Sequence, residues 1–237
     1  MKRKWHESKW QPELNWGTEG GLLLRRCVEL LATELPSPPS ELILFGSIPL
    51  QMGISPAFLS GDVDIATREE IASVLGAHKL LKGQAAPYVE VSDPDVFVAS
   101  TDWQSRAHKV ELFGITLIFP HPIDILVSKV NRCEEKDIRA FAEVIRQMGH
   151  PTEEELKESL QRVVDIYRPT FDEEGGSDAL MNTQALWERL FQKPIDVRAE
   201  IIAPAMDRKR RFQESPLGVN AKQALINARG ERASRKG

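Results

Sequence analysis

The chain is poor in the residues that build disulfide frameworks, metal–thiolate sites and membrane spans. It has two cysteines in 237 residues, Cys27 and Cys133. They lie far apart with no Cys-x-x-Cys partner, which excludes a disulfide scaffold and a thiolate zinc site and fits a reducing compartment. Long apolar runs are missing: no window approaches the roughly 18 apolar residues of a membrane span. The basic opening MKRKWHESKWQPELNW leads into no apolar segment of the kind a secretory signal needs. The expectation is a soluble cytoplasmic protein with no membrane partner. Excess positive charge is absent too. With 31 Lys+Arg against 35 Asp+Glu, the formal net charge is -4, so any basic surface that meets nucleic acid has to be local. The histidines at 6, 78, 108, 121 and 150 show no ligand spacing such as i, i+4, and no Gly-Lys-Ser or Gly-Lys-Thr exists to make a Walker-type phosphate loop.

What is present is enough apolar sequence, 41%, to bury one substantial core or two modest ones. TEGGLLLRRCVELLATEL repeats apolar residues at helical spacing and predicts a helix over about 19–35, ended by PSPPS. ELILFGS then reads as a short strand closed by glycine, and GDVDIAT as a second strand. TREEIASVLGAHKLL reads as a helix opened by Thr67 and Glu70 in capping-box relation. APYVEVS and HKVELFGITLIF, turning near Gly114, supply further strands. From HPIDILVSKVNRCEEKDIRAFAEVIRQMG onward the pattern is helical, with further helices in PTEEELKESLQRVVDIY and DALMNTQALWERLFQ. The fold class is therefore α+β: a small mixed β-sheet flanked by helices in residues 1–121, followed by a helical region, 122–205, packed on it. Residues 206–237, with DRKRRF and NARGERASRKG, read as a basic, flexible tail. Trp5, Trp10 and Trp16 read as anchors of an N-terminal arm on the protein's own surface.

The most informative stretch is GSIPLQMGISPAFLSGDVDIAT, residues 46–67. On a strand the period of two puts Asp62 and Asp64 on one face and sends Val63 and Ile65 to the other. Two carboxylates so placed repel one another unless a cation lies between them. Their oxygens suit a hard divalent ion, Mg2+ or alternatively Mn2+, whose remaining positions water and substrate phosphates fill. A calcium loop of the EF-hand kind fails, because Thr67 stands where the turn glycine belongs and Ser73 where the bidentate glutamate belongs. Upstream, Gly46 permits close backbone approach, and Ser47 offers a hydroxyl and an amide at the start of a helix, where anions are favoured.

Gly-Ser, a spacer and then Asp-x-Asp resembles the signature of the polymerase-beta-like nucleotidyltransferases. HPIDILVSKVNRCEEKDIRAF is similar to the segment of AbiEii-type toxin nucleotidyltransferases in which a helix lysine precedes a Lys-Asp pair; the corresponding residues are Lys129, Lys136 and Asp137. The resemblance spans about residues 20–150. It implies the nucleotidyltransferase fold and transfer of a nucleoside monophosphate from a nucleoside triphosphate to an RNA end, tRNA included, or to a protein hydroxyl, with pyrophosphate leaving. A toxin role opposed by an antitoxin protein is also implied. Two metal ions about 3.5–4 Å apart are then held by Asp62, Asp64 and a third carboxylate. Glu90, Asp95 and Glu111 all qualify. Glu90 is favoured, because it alternates with core-facing Val89 and Val91, whereas Asp95 sits in a proline-containing loop and Glu111 on a later hairpin strand. Gly46, Ser47, Lys129 and Asp137 are the candidate nucleotide-binding residues, with Lys129 also a catalytic candidate as a point charge near the triphosphate. Arg106 is expected to pair with a nearby acid. The other function class is a catalytically inactive nucleotide- or partner-binding module on the same fold, which a missing third carboxylate favours.

Overall fold

A computed structural model describes residues 4–58, 60–171 and 179–220; of the basic tail, residues 221–237 lie outside the described residues. The chain runs α1 (Glu19–Glu34), β1 (Glu41–Leu44), α2 (Ile48–Gly53), β2 (Asp62–Ala66), α3 (Ala72–Ala77), β3 (Tyr88–Ser92), β4 (His108–Leu112) and β5 (Ile115–Phe119). Helices follow: α4 (Pro122–Lys129), α5 (Glu135–Met148), α6 (Glu153–Phe171), α7 (Ala179–Phe191), a π-helical turn (Arg198–Ile202) and α8 (Ala203–Glu214). The architecture is α+β, as the sequence predicts. No helix among the described residues is long and apolar enough to cross a membrane.

The five strands form one mixed sheet in the order β3-β2-β1-β5-β4. β2 runs parallel to β3 and antiparallel to β1; β1 runs parallel to β5, and β4–β5 is a hairpin. The hairpin turns at Phe113 (φ 52) and Gly114 (φ 81), the pair of positive φ values that a two-residue turn needs to match the strand twist. Strand alternation divides the sheet into two faces. Leu42, Leu44, Val63, Ile65, Val89, Leu117 and Phe119 pack with Leu24, Val28 and Leu31 of α1 in one core. The opposite face carries Ile43, Ala66 and Ile118, and on it the acidic residues of β2 and β3 stand free of the core. A second core joins α4 to α8, with Phe141, Leu160, Trp187 and Ile201 fully buried.

Three local readings change. α3 begins at Ala72, not at Thr67, because β2 pairing continues to Ala66 and Thr67 N–H bonds the Ser92 carbonyl of β3. The capping box does not form: Glu70 accepts from Ala72 N–H at 3.0 Å, while the Thr67 hydroxyl accepts from Glu69 N–H at 3.2 Å. Residues 206–214, read from sequence as tail, continue α8, whose Ala205 is buried in the helical core. The N-terminal arm is anchored as expected. Trp5 stacks on His150 and meets His121 edge-on, and Trp10 lies against Gly53.

Candidate active site

The parallel register of β2 and β3 sets Asp64 directly beside Glu90 and Asp62 beside Tyr88. Asp62, Asp64 and Glu90 therefore share a face, and each offers a carboxylate oxygen within 4.8 Å of the others. They floor a cleft of ≈ 530 Å³ between the sheet and the helical region, walled by Gly46 and Ser47, by Val96–Val98, and by Ser128, Lys129, Arg132 and Lys136. Asp62 accepts from the Ser60 hydroxyl at 3.0 Å and from the Tyr88 hydroxyl at 3.4 Å.

Burial, then the charges of Asp62 and Glu90, push the Asp64 carboxyl up to about 6, and Lys129 and Arg132 only partly offset this. Three converging acids with one held so far above the ordinary carboxylate range are short of positive charge, and a divalent cation supplies it with the hard oxygen donors present. The residues fit a metal. The other candidates for the third position do not reach it. Asp95 is exposed and 3.3 Å from Arg68. Glu111 lies on β4, three strands from β2, about 14 Å away at the usual strand spacing.

Gly46 follows β1 in a turn with φ +67, and a Cβ there would overlap Oδ2 of Asp64. The glycine is needed both for its backbone and for the room it leaves. Gly46→Ala is expected to destabilise the fold by about 1–2 kcal/mol through the left-handed conformation alone, and to displace Asp64. Denaturant unfolding together with a Mg2+ titration checks both parts. Ser47 caps α2 by position, although its side chain makes no capping bond.

A nucleotidyltransferase family of unknown function, DUF6036, matches residues 24–148. The chain belongs to this family. The match covers the sheet, the acidic cleft and the helices α4 and α5 that face it, and it supports the nucleotidyltransferase part of the sequence resemblance without its AbiEii-type refinement. Comparisons with curated proteins and with solved structures found no match.

Within this nucleotidyltransferase, α4 carries Lys129 to the cleft on its last turn. His121 starts the helix, its Nδ1 accepting from Ile123 N–H at 3.1 Å, and Asp124 fixes it to the sheet side. There Arg106 donates to Asp124 at 2.6 and 3.3 Å, a fully buried pair, so Arg106 has the structural role expected of it. Asp137 is read from sequence as a nucleotide ligand. It is 1% exposed, and its oxygens are already occupied by Lys129 Nζ at 3.3 Å, by Arg132 at 2.8 and 3.0 Å and by Glu134 N–H at 3.1 Å. Burial raises its pKa, but the Arg132 bond and the Lys129 and Arg132 charges outweigh this and hold it below the ordinary value. Asp137 holds two cations in place from behind.

Arg132 is the residue that sequence reading missed. It stands three positions after Lys129 in the turn between α4 and α5, where Cys133 takes φ 45. Only the spacing Lys-x-x-Arg ahead of a helix-opening acid hinted at it. Lys136 sits on the cleft rim, 3.2 Å from Glu134.

Proposed function

We propose that this protein is a metal-dependent nucleotidyltransferase that moves a nucleoside monophosphate from a nucleoside triphosphate to an acceptor hydroxyl on RNA or protein. The carrying observation is the convergence of Asp62, Asp64 and Glu90 under Lys129 and Arg132 in one cleft. Asp62, Asp64 and Glu90 would hold the metal, Mg2+ or Mn2+, which would supply activation of the attacking oxygen and neutralisation of charge on the leaving phosphates. Lys129 and Arg132, positioned by Asp137, bind the β- and γ-phosphate oxygens and stabilise the pyrophosphate as it forms. Gly46 lets the backbone approach the phosphates, and Ser47 offers its hydroxyl beside them. The acceptor oxygen forms a bond to the α-phosphorus as the bond to the bridging oxygen breaks, and pyrophosphate leaves with that electron pair. The acceptor proton passes to Glu90, whose side chain is 43% exposed.

A missing third carboxylate would favour the binding-module reading; Glu90 lies beside Asp64 in the β2–β3 register with its carboxylate near those of Asp62 and Asp64, which supports the enzyme. A toxin role with an antitoxin partner rests on the sequence resemblance; a neighbouring reading frame for a small DNA-binding protein would support it. A cytoplasmic setting fits the free thiols of Cys27 and Cys133.

Mg2+ with a triphosphate at about 100 times Kd is expected to stabilise the wild type by about 2.7 kcal/mol, which raises the melting temperature by roughly 5–10 °C in a chain of this length. The Asp62→Asn/Asp64→Asn protein should show no shift. Equal shifts in both proteins would move the metal site elsewhere.

A further inference from the structure

Charge is distributed unevenly along the chain. Residues 208–237 hold nine Lys/Arg against two Asp/Glu, whereas residues 1–207 hold 22 against 33, so a protein that is acidic as a whole has one strongly basic end. In the described part of that end, Arg208, Lys209, Arg210 and Arg211 of α8 run into Phe212, which is 56% exposed.

A cavity of ≈ 420 Å³ opens beside α8, apart from the acidic cleft. Arg162, Arg208, Lys209 and Phe212 line it together with Ser100 and Thr101. The carboxylate there, Asp102, is already matched by Arg106 at 3.0 Å and Arg162 at 3.5 Å; Arg162 pairs with Glu7 at 3.0 Å as well, so the cations offered to phosphate are those of α8. Arg208 is held by the neutral side-chain oxygen of Gln161 at 2.6 Å. Cations, the Thr101 hydroxyl and an exposed ring together form the recognition set for a single strand: phosphates meet the cations and a base stacks on the ring. A carboxylate-rich protein segment would satisfy the cations and leave the ring unused. One short segment also joins this cavity to the cleft, because Val96–Val98 wall the cleft while Ser100 and Thr101 line the cavity.

We propose that α8 and this cavity dock single-stranded RNA, and that the acceptor of the nucleotidyl group is accordingly RNA and not a protein hydroxyl. The acceptor assignment rests on the transferase reading above; the docking site does not.

The test uses the full chain and a fluorescein-labelled, unstructured 20-nucleotide RNA, followed by anisotropy from 50 to 200 mM KCl without Mg2+ or triphosphate. Arg208→Glu/Lys209→Glu should weaken binding at least tenfold at 50 mM KCl and flatten the log–log salt slope by about 1.4, at roughly 0.7 per lost phosphate contact. Its melting shift with Mg2+ and triphosphate should stay as in the wild type. Phe212→Ala should weaken binding about tenfold with the slope unchanged, because stacking carries no counterion release. Asp62→Asn/Asp64→Asn should bind RNA as the wild type does. An unchanged slope in the charge-reversed protein overturns the site. So does displacement of the RNA by polyglutamate as readily as by unlabelled RNA, which would point to an acidic protein. A wild-type dimer that the charge reversal converts to monomer would assign the face to a second copy instead. Label passing from triphosphate to protein and not to RNA overturns the acceptor assignment. Loss of the wild-type melting shift with Mg2+ and triphosphate strikes the transferase reading and leaves RNA docking standing, so the two failures are told apart.

Discussion

Asn in place of Asp64 is expected to lower nucleotidyl transfer by about 10³-fold while raising the melting temperature of the ligand-free protein above pH 6. Both effects have one origin. The Asp64 carboxyl titrates near 6 in the folded chain against 3.8 ordinarily, because burial and the Asp62 and Glu90 charges oppose its ionisation. Between these two values the unfolded chain has released the proton that the folded chain keeps. The folded state then binds more protons, and stability falls as pH rises through the window. Below pH 3.8 both states are protonated, and Asn and Asp should melt alike apart from a constant offset. Above pH 6 only the wild type carries the buried charge, so the variant's advantage grows from pH 4 to pH 7 and then levels off. Mg2+ reverses the order, since it binds the wild-type cluster and not the weakened one. Asp62→Asn should remove activity to the same degree. A variant that transfers label at the wild-type rate, or a melting difference that is flat across pH, contradicts the assignment of Asp64 to a cation site.

The acidic face was legible because strand alternation is strict. Val63 and Ile65 had to enter the core, which left Asp62 and Asp64 together outside it, and the same parity at Val89 and Val91 placed Glu90. What parity could not show is which strands are neighbours. Glu111 carries the same chemistry, and the pairing order sets it at the far edge. The cations were harder. Lys129 lies on a helix and could be followed by periodicity, but Arg132 depends on a turn in which Cys133, and not the neighbouring Asn131, adopts the left-handed backbone, a conformation that glycine or asparagine ordinarily takes. Asp137 was read as a nucleotide ligand, and its oxygens meet Lys129, Arg132 and the Glu134 N–H: a carboxylate near two basic residues reads from sequence equally as ligand or as brace, and its burial favours the brace. α8 was obscured in the same way, because its buried side uses small residues such as Ala205 while its charged residues dominate the pattern.

Glu90→Gln separates an enzyme from a binding module. The substitution keeps the side chain's shape and hydrogen-bonding reach and removes its charge, so Mg2+ and triphosphate should still raise the melting temperature, by less than in the wild type, while turnover falls by about 10²–10³-fold. The loss should appear mainly in kcat, because Lys129 and Arg132 still bind the phosphates and what is missing acts on the acceptor proton and on charge that develops in the transition state. The Lys82 contact with Glu90 does not confuse the result. At 3.8 Å between two exposed side chains, such a pair contributes about 0–1 kcal/mol. Asp95→Asn and Glu111→Gln serve as matched controls and should each change the rate by less than about twofold, the first losing only its exposed partner Arg68. If Glu90→Gln is silent and Glu111→Gln inactive, the strand order is at fault and the enzyme survives. If all three are silent in a chain that binds triphosphate without turning it over, the cleft is a nucleotide-binding module, and Asp62 and Asp64 hold a cation for recognition and not for transfer.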